Sequence, residues 1–204
     1  SSAAWTENKH TSNNGKSTTN PSSVGSSTYT RGPSKYANDE QRTVGCGISN
    51  AKKLEREGEP EVAKAAVELD GITQMILTTG TPNTPDRGAE ILFDSVTAIR
   101  AAVDLPIQVQ CEPPDDFSWF AKLKNAGAVS IGMHLEAVSD RVRHKIMPGK
   151  AEVSLDKYFA AFKAAVEVFG RGQVSTYILA GLGDTKEEIL EMTAQLTEIG
   201  VYPF

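Results

Sequence analysis

Residues 173–204 read QVSTYILAGLGDTKEEILEMTAQLTEIGVYPF, and this stretch decides the fold. Residues 173–179 are a short run of apolar and β-branched side chains, which predicts a strand. A glycine-rich loop follows, and Thr185 with Glu188 has the spacing of a capping box at the start of a helix. A glycine ends that helix, and another strand opens at Val201. The stretch therefore predicts one complete strand–helix–strand unit.

The same alternation fills the chain before this unit. Apolar runs bounded by glycine or proline predict three earlier strands, at residues 74–79, 105–112 and 129–135. Apolar residues with a helical period predict five helices, at residues 60–69, 91–103, 116–127, 139–146 and 154–169. Strands that alternate with helices indicate parallel βαβ units, and so an α/β barrel or a doubly wound sheet.

The beginning of the chain has a different composition. Residues 1–45 are dominated by Ser, Thr, Asn, Gly and Pro and have neither a strand period nor a helix period. Such a segment buries too little apolar surface to offset the entropy of ordering it. We therefore expect a disordered tail over residues 1–45 and one core domain over residues 46–204. On this reading the first barrel strand is missing, strand 74–79 lies at an open edge, and the chain is a fragment.

Charge and composition exclude several classes of partner. The chain has 204 residues and a formal net charge of −5, so it has no basic excess with which to neutralise phosphates. No apolar run reaches the roughly 20 residues that span a bilayer. Two cysteines are too few for a disulfide framework or a complete cysteine-based metal site. We expect a cytoplasmic protein whose partner is neither nucleic acid nor a membrane.

Polar and small residues follow the predicted strands. Active sites of parallel α/β folds lie at the carboxyl ends of the strands. Each residue also has a structural explanation, such as a satisfied core histidine or a glycine needed only for a turn. Their occurrence at four strand ends favours a ligand pocket for amino, carboxylate and hydroxyl groups. The residues are Thr78, Thr79, Gly80, Thr81, Gln108, Gln110, Glu112, His134, Glu136, Gly181 and Gly183.

Six segments of the chain resemble a known family. They lie between residue 60 and the end of the sequence, at 66–71 (AVELDG), 78–82 (TTGTP), 108–115 (QVQCEPPD), 132–137 (GMHLEA), 146–150 (IMPGK) and 177–184 (YILAGLGD). Together they resemble the radical S-adenosylmethionine enzymes of the biotin synthase-like group. The resemblance is strongest to a little-characterised family that is encoded beside nitrilases in bacterial gene clusters.

This resemblance implies a fold and a chemistry. The fold is a partial parallel (β/α) barrel, an incomplete version of the family's TIM-like barrel. In the family, three cysteines spaced C-x3-C-x2-C hold a [4Fe–4S] cluster that binds S-adenosylmethionine and cleaves it reductively. The resulting 5′-deoxyadenosyl radical takes hydrogen from a substrate, which here is an unknown small molecule. An electron donor such as a flavodoxin or a ferredoxin is the implied protein partner.

The resemblance also implies roles for individual residues. The segment after strand 74–79 contacts the methionine amino group, the polar residue after strand 129–135 reaches the ribose, and the segment after strand 173–179 flanks the adenine. Two arginines and one glutamate are candidates for contact with the cofactor carboxylate or the substrate. The implied contacts with the methionine part are Thr79, Gly80 and Thr81, the implied ribose contact is Glu136, and the residues beside the adenine are Ile178, Gly181 and Gly183. The candidates for contact with the cofactor carboxylate or the substrate are Glu112, Arg141 and Arg143.

The cluster motif is incomplete. Cys46 resembles its last cysteine, but the other two ligand positions hold Asp39 and Thr43, and Cys111 belongs to a different strand. Carboxylate and hydroxyl groups are harder and poorer ligands for iron–sulfur clusters than thiolate. Catalysis by this chain is therefore left open between two hypotheses. One is an active radical enzyme, and the other is a cluster-less remnant that at most binds a nucleoside-like ligand.

A third hypothesis is an iron-free α/β barrel enzyme. It would use Glu112, His134 and Glu136 as acid and base groups. This hypothesis requires the family resemblance to be accidental.

Overall fold

The computed structural model describes residues 43–48, 58–80 and 82–204. The predicted disordered tail therefore falls almost entirely outside the described residues. The elements, in chain order, are β1 (Thr43–Ile48), α1 (Glu59–Asp70), β2 (Gln74–Thr79), α2 (Ala89–Ala102), β3 (Ile107–Gln110), α3 (Ser118–Ala126), β4 (Ala128–Gly132), α4 (Asp140–Ile146), α5 (Pro148–Ala151), α6 (Leu155–Phe169), β5 (Val174–Thr176), α7 (Lys186–Glu198) and β6 (Val201–Pro203).

The six strands form one parallel sheet in the order β1-β2-β3-β4-β5-β6. This order confirms the predicted α/β class and the partial parallel barrel, because each strand lies beside the next one in the chain. The predicted strands at 105–112, 129–135 and 173–179 are longer than the observed ones, since their last residues leave the sheet and form the loops at its carboxyl edge.

Strand β1 corrects the expectation that the first strand is missing. Its sequence, TVGCGI, runs parallel to β2 over six residues, with Cys46 in register with Leu77. Strand β2 is therefore an interior strand and does not form an open edge. Two glycines interrupt the apolar pattern of β1, and glycine weakens a strand signal. The strand begins at Thr43, before the domain boundary predicted at residue 46.

The apolar core lies between one face of the sheet and the helices. Alternate strand residues point to the same face of a sheet, and on this face Leu77 and Val109 are completely buried. Leu92 of α2, Phe120 of α3 and Phe162 of α6 are buried in the same core. Because strand side chains alternate between the two faces, the residues next to Leu77 and Val109 in their strands point to the opposite face of the sheet.

The opposite face of the sheet is polar. Gln108 is in register with Ser130, and Gln110 with Gly132, so glutamine, serine and glycine meet where β3 and β4 pair. The side-chain amide of Gln108 donates a hydrogen bond to Oγ of Ser175 on β5, with its nitrogen 3.3 Å from that oxygen. This face leads to the carboxyl edge, where the predicted site residues lie.

Helix ends follow the sequence signals. Thr185 accepts a hydrogen bond from the Glu188 amide, and the Glu188 carboxylate accepts one from the Thr185 amide, which confirms the predicted capping box. The side chains of Ser139 and Ser154 cap α4 and α6 by accepting a hydrogen bond from the amides of Val142 and Lys157, respectively. Within the described residues, no helix is long and apolar enough to cross a membrane.

Removing a leucine side chain at two positions tests the placement of the core. Leu92→Ala removes a completely buried side chain of α2, whereas Leu69→Ala removes one that is 82% exposed at the end of α1. We expect the first substitution to lower the free energy of unfolding by about 2–5 kcal/mol. The second should change it by less than about 0.5 kcal/mol. Urea denaturation measures both, and equal losses would contradict this assignment of the core.

Candidate functional site

The carboxyl ends of the strands form the edge that carries the predicted site residues. Thr79 ends β2, Glu112 follows β3, and Glu136 follows β4. Ile178 and Gly181 follow β5. Because all six strands are parallel, these residues lie along the same edge of the sheet.

Glu136 is held by backbone hydrogen bonds on both sides. Its amide donates to the Tyr177 carbonyl oxygen at 2.9 Å, and its carbonyl oxygen accepts from the Leu179 amide at 2.7 Å. These bonds pair Glu136 with Ile178 beyond the ends of β4 and β5. The backbone of Glu136 has a φ of +64°, a left-handed conformation that is costly for a residue with a side chain. Two predicted site residues are thus fixed side by side.

Lys150 is the cation that reaches Glu136. Its Nζ lies 2.6 Å from Oε1 of Glu136, and both side chains remain partly exposed. Lys150 is in the short helix α5, and sequence reasoning assigned no role to it. The segment that contains Lys150, IMPGK, is one of the six that resemble the family, and this was the sequence signal that could have identified Lys150 as a site residue.

The structure does not bring the two predicted arginines together with Glu136. Arg143 is completely buried, and its Nη2 donates to the carbonyl oxygens of Lys150 and Val153 at 3.1 and 2.8 Å. The exposed Arg141 donates to the Glu188 carboxylate and to the Gly183 carbonyl oxygen, both at 3.2 Å. Arg143 therefore positions the main chain around Lys150, where the sequence suggested a carboxylate contact.

Asp184 ties the loop after β5 to the start of α4. Its carboxylate accepts hydrogen bonds from the amides of Val138 and Ser139, at 2.8 and 3.1 Å, and from Oγ of Ser139 at 2.5 Å. The two glycines of the same loop, Gly181 and Gly183, have φ values of +97° and +124°, which favour glycine. A Cβ on Gly181 would meet no atom within 4 Å, so a ligand has room to approach this backbone.

His134 is a neutral histidine with one free donor. Its ring stacks on Tyr177 with the ring centres 3.9 Å apart, and its Nδ1 accepts a hydrogen bond from the Tyr177 amide at 3.1 Å. Burial lowers the pKa of His134 to about 4, the Lys150 charge adds to this effect, and Glu136 opposes it. The neutral ring consequently carries its proton on Nε2, which is buried without a partner in the described residues.

This geometry argues against the acid–base hypothesis for His134. A general base needs an unoccupied nitrogen lone pair, and the Nδ1 lone pair already accepts the Tyr177 amide. Gly132 makes the ring position possible, because a Cβ there would lie 2.8 Å from Cε1 of His134. Glu112, a second member of that hypothesis, forms an ion pair with Arg87.

The end of β2 is only partly described. Oγ1 of Thr79 is buried without a hydrogen-bond partner in the described residues, and a Cβ on Gly80 would face open space. The predicted contact at Thr81 lies outside the described residues. Gly88 packs directly on Thr79, since a Cβ on Gly88 would lie 2.5 Å from Oγ1.

The thiols do not fit a [4Fe–4S] cluster. The backbone of Cys46 lies within β1, in register with Leu77 of β2, where the family resemblance implied the end of the cluster loop. Cys111 is buried in the apolar core, where burial raises the pKa of its thiol to about 12 and Glu112 and Asp86 add to the rise. Within the described ranges, no group of three His, Cys, Asp or Glu side chains could hold a metal ion. The chain does not supply three converging thiolates.

The nucleoside part of S-adenosylmethionine fits the residues better. Glu136 offers carboxylate oxygens, which suit the hydroxyl groups of a ribose, beside the open backbone at Gly181. Ile178 is packed against the apolar core next to them, and a planar base favours an apolar neighbour.

Because the pKa of His134 is low in the folded chain, the stability of the chain should depend on pH. Between pH 6.5 and about 4 the unfolded chain binds a proton at this residue and the folded chain does not, so the stability falls as the pH is lowered through this range. Urea denaturation at pH 7 and at pH 4.5 gives the free energy of unfolding lost between the two pH values. We expect this loss to be smaller in His134→Gln than in the parent chain. The exposed His144→Gln is the control, and an equal effect of both substitutions would contradict the assignment.

Solved structures share this fold. Methylornithine synthase matches with a TM-score of 0.58 and 20% identity over 72% of this chain and 43% of the solved chain. The FeFe-hydrogenase maturase HydG from Carboxydothermus hydrogenoformans matches with a TM-score of 0.59 and 19% identity, over 80% of this chain and 45% of the solved one.

Curated proteins match at the level of sequence. Bacteriochlorophyllide c C-7(1)-hydroxylase from Chlorobaculum limnaeum is 30% identical over 167 residues, which are 76% of this chain. Mitochondrial lipoyl synthase from Danio rerio is 26% identical over 168 residues, or 78% of this chain. The chain matches 41% of the length of each of these relatives.

The profile of the Radical SAM superfamily matches residues 43–196 and therefore covers strands β1 to β5 with the helices between them. This match includes the edge residues Thr79, Glu136 and Gly181. The chain belongs to the radical S-adenosylmethionine superfamily.

Proposed function

We propose that this chain binds S-adenosylmethionine at the carboxyl edge of its sheet and does not cleave it unaided. The superfamily as a class cleaves this cofactor reductively, with a reductant and a second substrate. The observation that carries the binding proposal is the position of Glu136, whose backbone pairs with Ile178 at the start of the loop that contains the open Gly181.

The number of thiols supports the second half of the proposal. The sequence has two cysteines, and Cys111 is buried in the apolar core, where burial raises the pKa of its thiol to about 12. A [4Fe–4S] cluster supplies the electron for cleavage in the superfamily, and it requires thiolates that converge on one point. Binding of the cofactor and its cleavage are consequently separate questions for this chain.

A second candidate function is reductive cleavage followed by hydrogen abstraction from a small molecule. The match to the superfamily over residues 43–196 favours it, as do the names of the relatives, which are those of a hydroxylase and a synthase. This activity would need a cluster bound by other ligands, and a reductant such as a flavodoxin or a ferredoxin. The substrate would meet the polar face formed by Gln108, Gln110 and Ser175.

Anaerobic reconstitution with iron and sulfide distinguishes the two functions. The measurements are iron content, the electron paramagnetic resonance signal after reduction with dithionite, binding of S-adenosylmethionine by calorimetry, and release of 5′-deoxyadenosine. We expect binding of the cofactor, iron well below four atoms per chain, and no 5′-deoxyadenosine. Release of 5′-deoxyadenosine would establish the second function, and failure to bind would overturn the first.

Glu136→Gln tests the ribose contact. The amide keeps the size of the side chain but loses the charge and one acceptor oxygen, so we expect affinity for S-adenosylmethionine to fall about tenfold. Glu152→Gln, an exposed substitution two residues after Lys150, is the matched control and should leave the affinity unchanged. Equal affinity of Glu136→Gln and the parent chain, with thermal unfolding unchanged, would remove Glu136 from the site.

A further inference from the structure

One row of residues crosses the polar face of the sheet from β2 to β6. Register pairs join its members on successive strands, and none of the members is charged or aliphatic. The row consists of Thr78, Gln110, Gly132, Ser175 and Tyr202.

The row one residue earlier in each strand shows the contrast. It lies on the core face and is aliphatic throughout: Leu77, Val109, Ile131, Val174 and Val201. Strands of a parallel sheet that is covered on both faces are usually apolar on both of them. The polar row departs from this rule, which indicates that its face contacts polar groups.

Gln110 is a buried member of the polar row whose amide has no partner. Its side chain belongs to a residue that is 9% exposed, and it makes no hydrogen bond with any residue that the structure describes. Ser175, buried to a similar degree in the same row, accepts a hydrogen bond from the Gln108 amide. A side-chain amide has an acceptor oxygen and two donor hydrogens, and burying them without partners is costly. The Gln110 amide is therefore available to a ligand.

Gly132 brings a second polar group without a partner next to Gln110. A Cβ on Gly132 would lie 3.2 Å from Cγ of Gln110 and 2.8 Å from Cε1 of His134, so both side chains pack over this glycine. Nε2 of His134 lies 3.2 Å from the same Cβ position and is buried without a partner in the described part of the chain. Two incompletely bonded polar side chains thus meet at one point of the sheet.

The carboxylates that follow these two residues are already paired. Glu112, two residues after Gln110, pairs with Arg87, and Glu136, two residues after His134, pairs with Lys150. A charged ligand at Gln110 would lose its hydration without meeting a free opposite charge, which is unfavourable. The ligand that suits this point is therefore uncharged.

The amide of glutamine also restricts the shape of the group that it binds. Its N–H and C=O groups share one edge, so they pair best with a group whose own N–H and C=O share an edge. Primary amides and cyclic amides present such an edge. An open-chain secondary amide does not, because it is trans and its N–H and C=O groups point in opposite directions.

We infer that Gln110 binds the primary or cyclic amide group of a small molecule on the polar face of the sheet. Nε2 of Gln110 donates to the carbonyl oxygen of the ligand, and Oε1 accepts the ligand N–H. The site uses none of the residues proposed to contact S-adenosylmethionine. It names the chemical class of the small molecule in the second candidate function and rests on that function only in this respect, since amide binding needs no cleavage of the cofactor.

Four small probes with the same aromatic ring test the inference on the full parent chain. Benzamide is a primary amide, and isoquinolin-1(2H)-one holds its N–H beside its C=O in a ring. N-methylbenzamide lacks that N–H, and benzoate is an anion. We expect the first two to bind at least about tenfold more tightly than the last two in titrations followed by saturation-transfer NMR. Benzamide should bind equally well when S-adenosylmethionine is present at saturation.

Gln110→Leu tests the residue itself, because leucine has a similar size and no hydrogen-bonding group. We expect it to weaken benzamide binding about tenfold and to leave S-adenosylmethionine binding unchanged. The midpoint of thermal unfolding should rise, since the substitution removes a buried amide that has no partner. Gln195→Leu, at an exposed position of α7, is the matched control and should leave both affinities unchanged.

The outcomes separate this inference from the proposed function. Failure of benzamide to bind, equal binding of N-methylbenzamide or benzoate, or unchanged benzamide affinity in Gln110→Leu would overturn the inference. Displacement of benzamide by S-adenosylmethionine would also overturn it, because the amide would then occupy the nucleoside site. A lower unfolding midpoint in Gln110→Leu would show that the amide has a partner in the unliganded chain. Failure of the parent chain to bind S-adenosylmethionine would contradict the proposed function alone, and the probe series needs no variant that must fold.

Discussion

The pairing of Glu136 with the segment after β5 is the interaction on which the rest of the site depends. Two backbone hydrogen bonds, to Tyr177 and from Leu179, extend the parallel sheet beyond the ends of β4 and β5. They hold Glu136 in a left-handed conformation beside Ile178, at the start of the loop that contains Gly181, and Tyr177 of the same segment stacks on His134. A parallel sheet makes such a site possible because all of its strands end at one edge.

The chain has the fold of its superfamily but too few cysteines for the superfamily's cluster. The superfamily match and the fold describe a partial barrel with polar residues at one edge, whereas the sequence has two cysteines and Cys111 is buried in the apolar core. The pairs Arg87–Glu112 and Lys150–Glu136 lie at neighbouring strand ends.

The features that could be predicted from the sequence are those that short stretches of neighbouring residues determine. The capping box at Thr185 and the strand–helix alternation are short-range signals, so they were predicted correctly. Strand β1 was missed because its glycines hide the apolar pattern, and its pairing with β2 is a long-range contact. The roles of Arg87 and Lys150 depend on residues 25 and 14 positions away, respectively, which no local pattern specifies. The burial of Arg143 and its bonds to the carbonyl oxygens of Lys150 and Val153 are likewise tertiary contacts that the sequence does not reveal.

A crystal structure of the anaerobically prepared chain with S-adenosylmethionine, including anomalous data at the iron edge, would test the central claim most directly. The account predicts the ribose on Glu136 and no iron signal beside the ligand. An iron cluster bound to Cys46 with the methionine end on it, or a ligand that does not contact Glu136, would contradict the account.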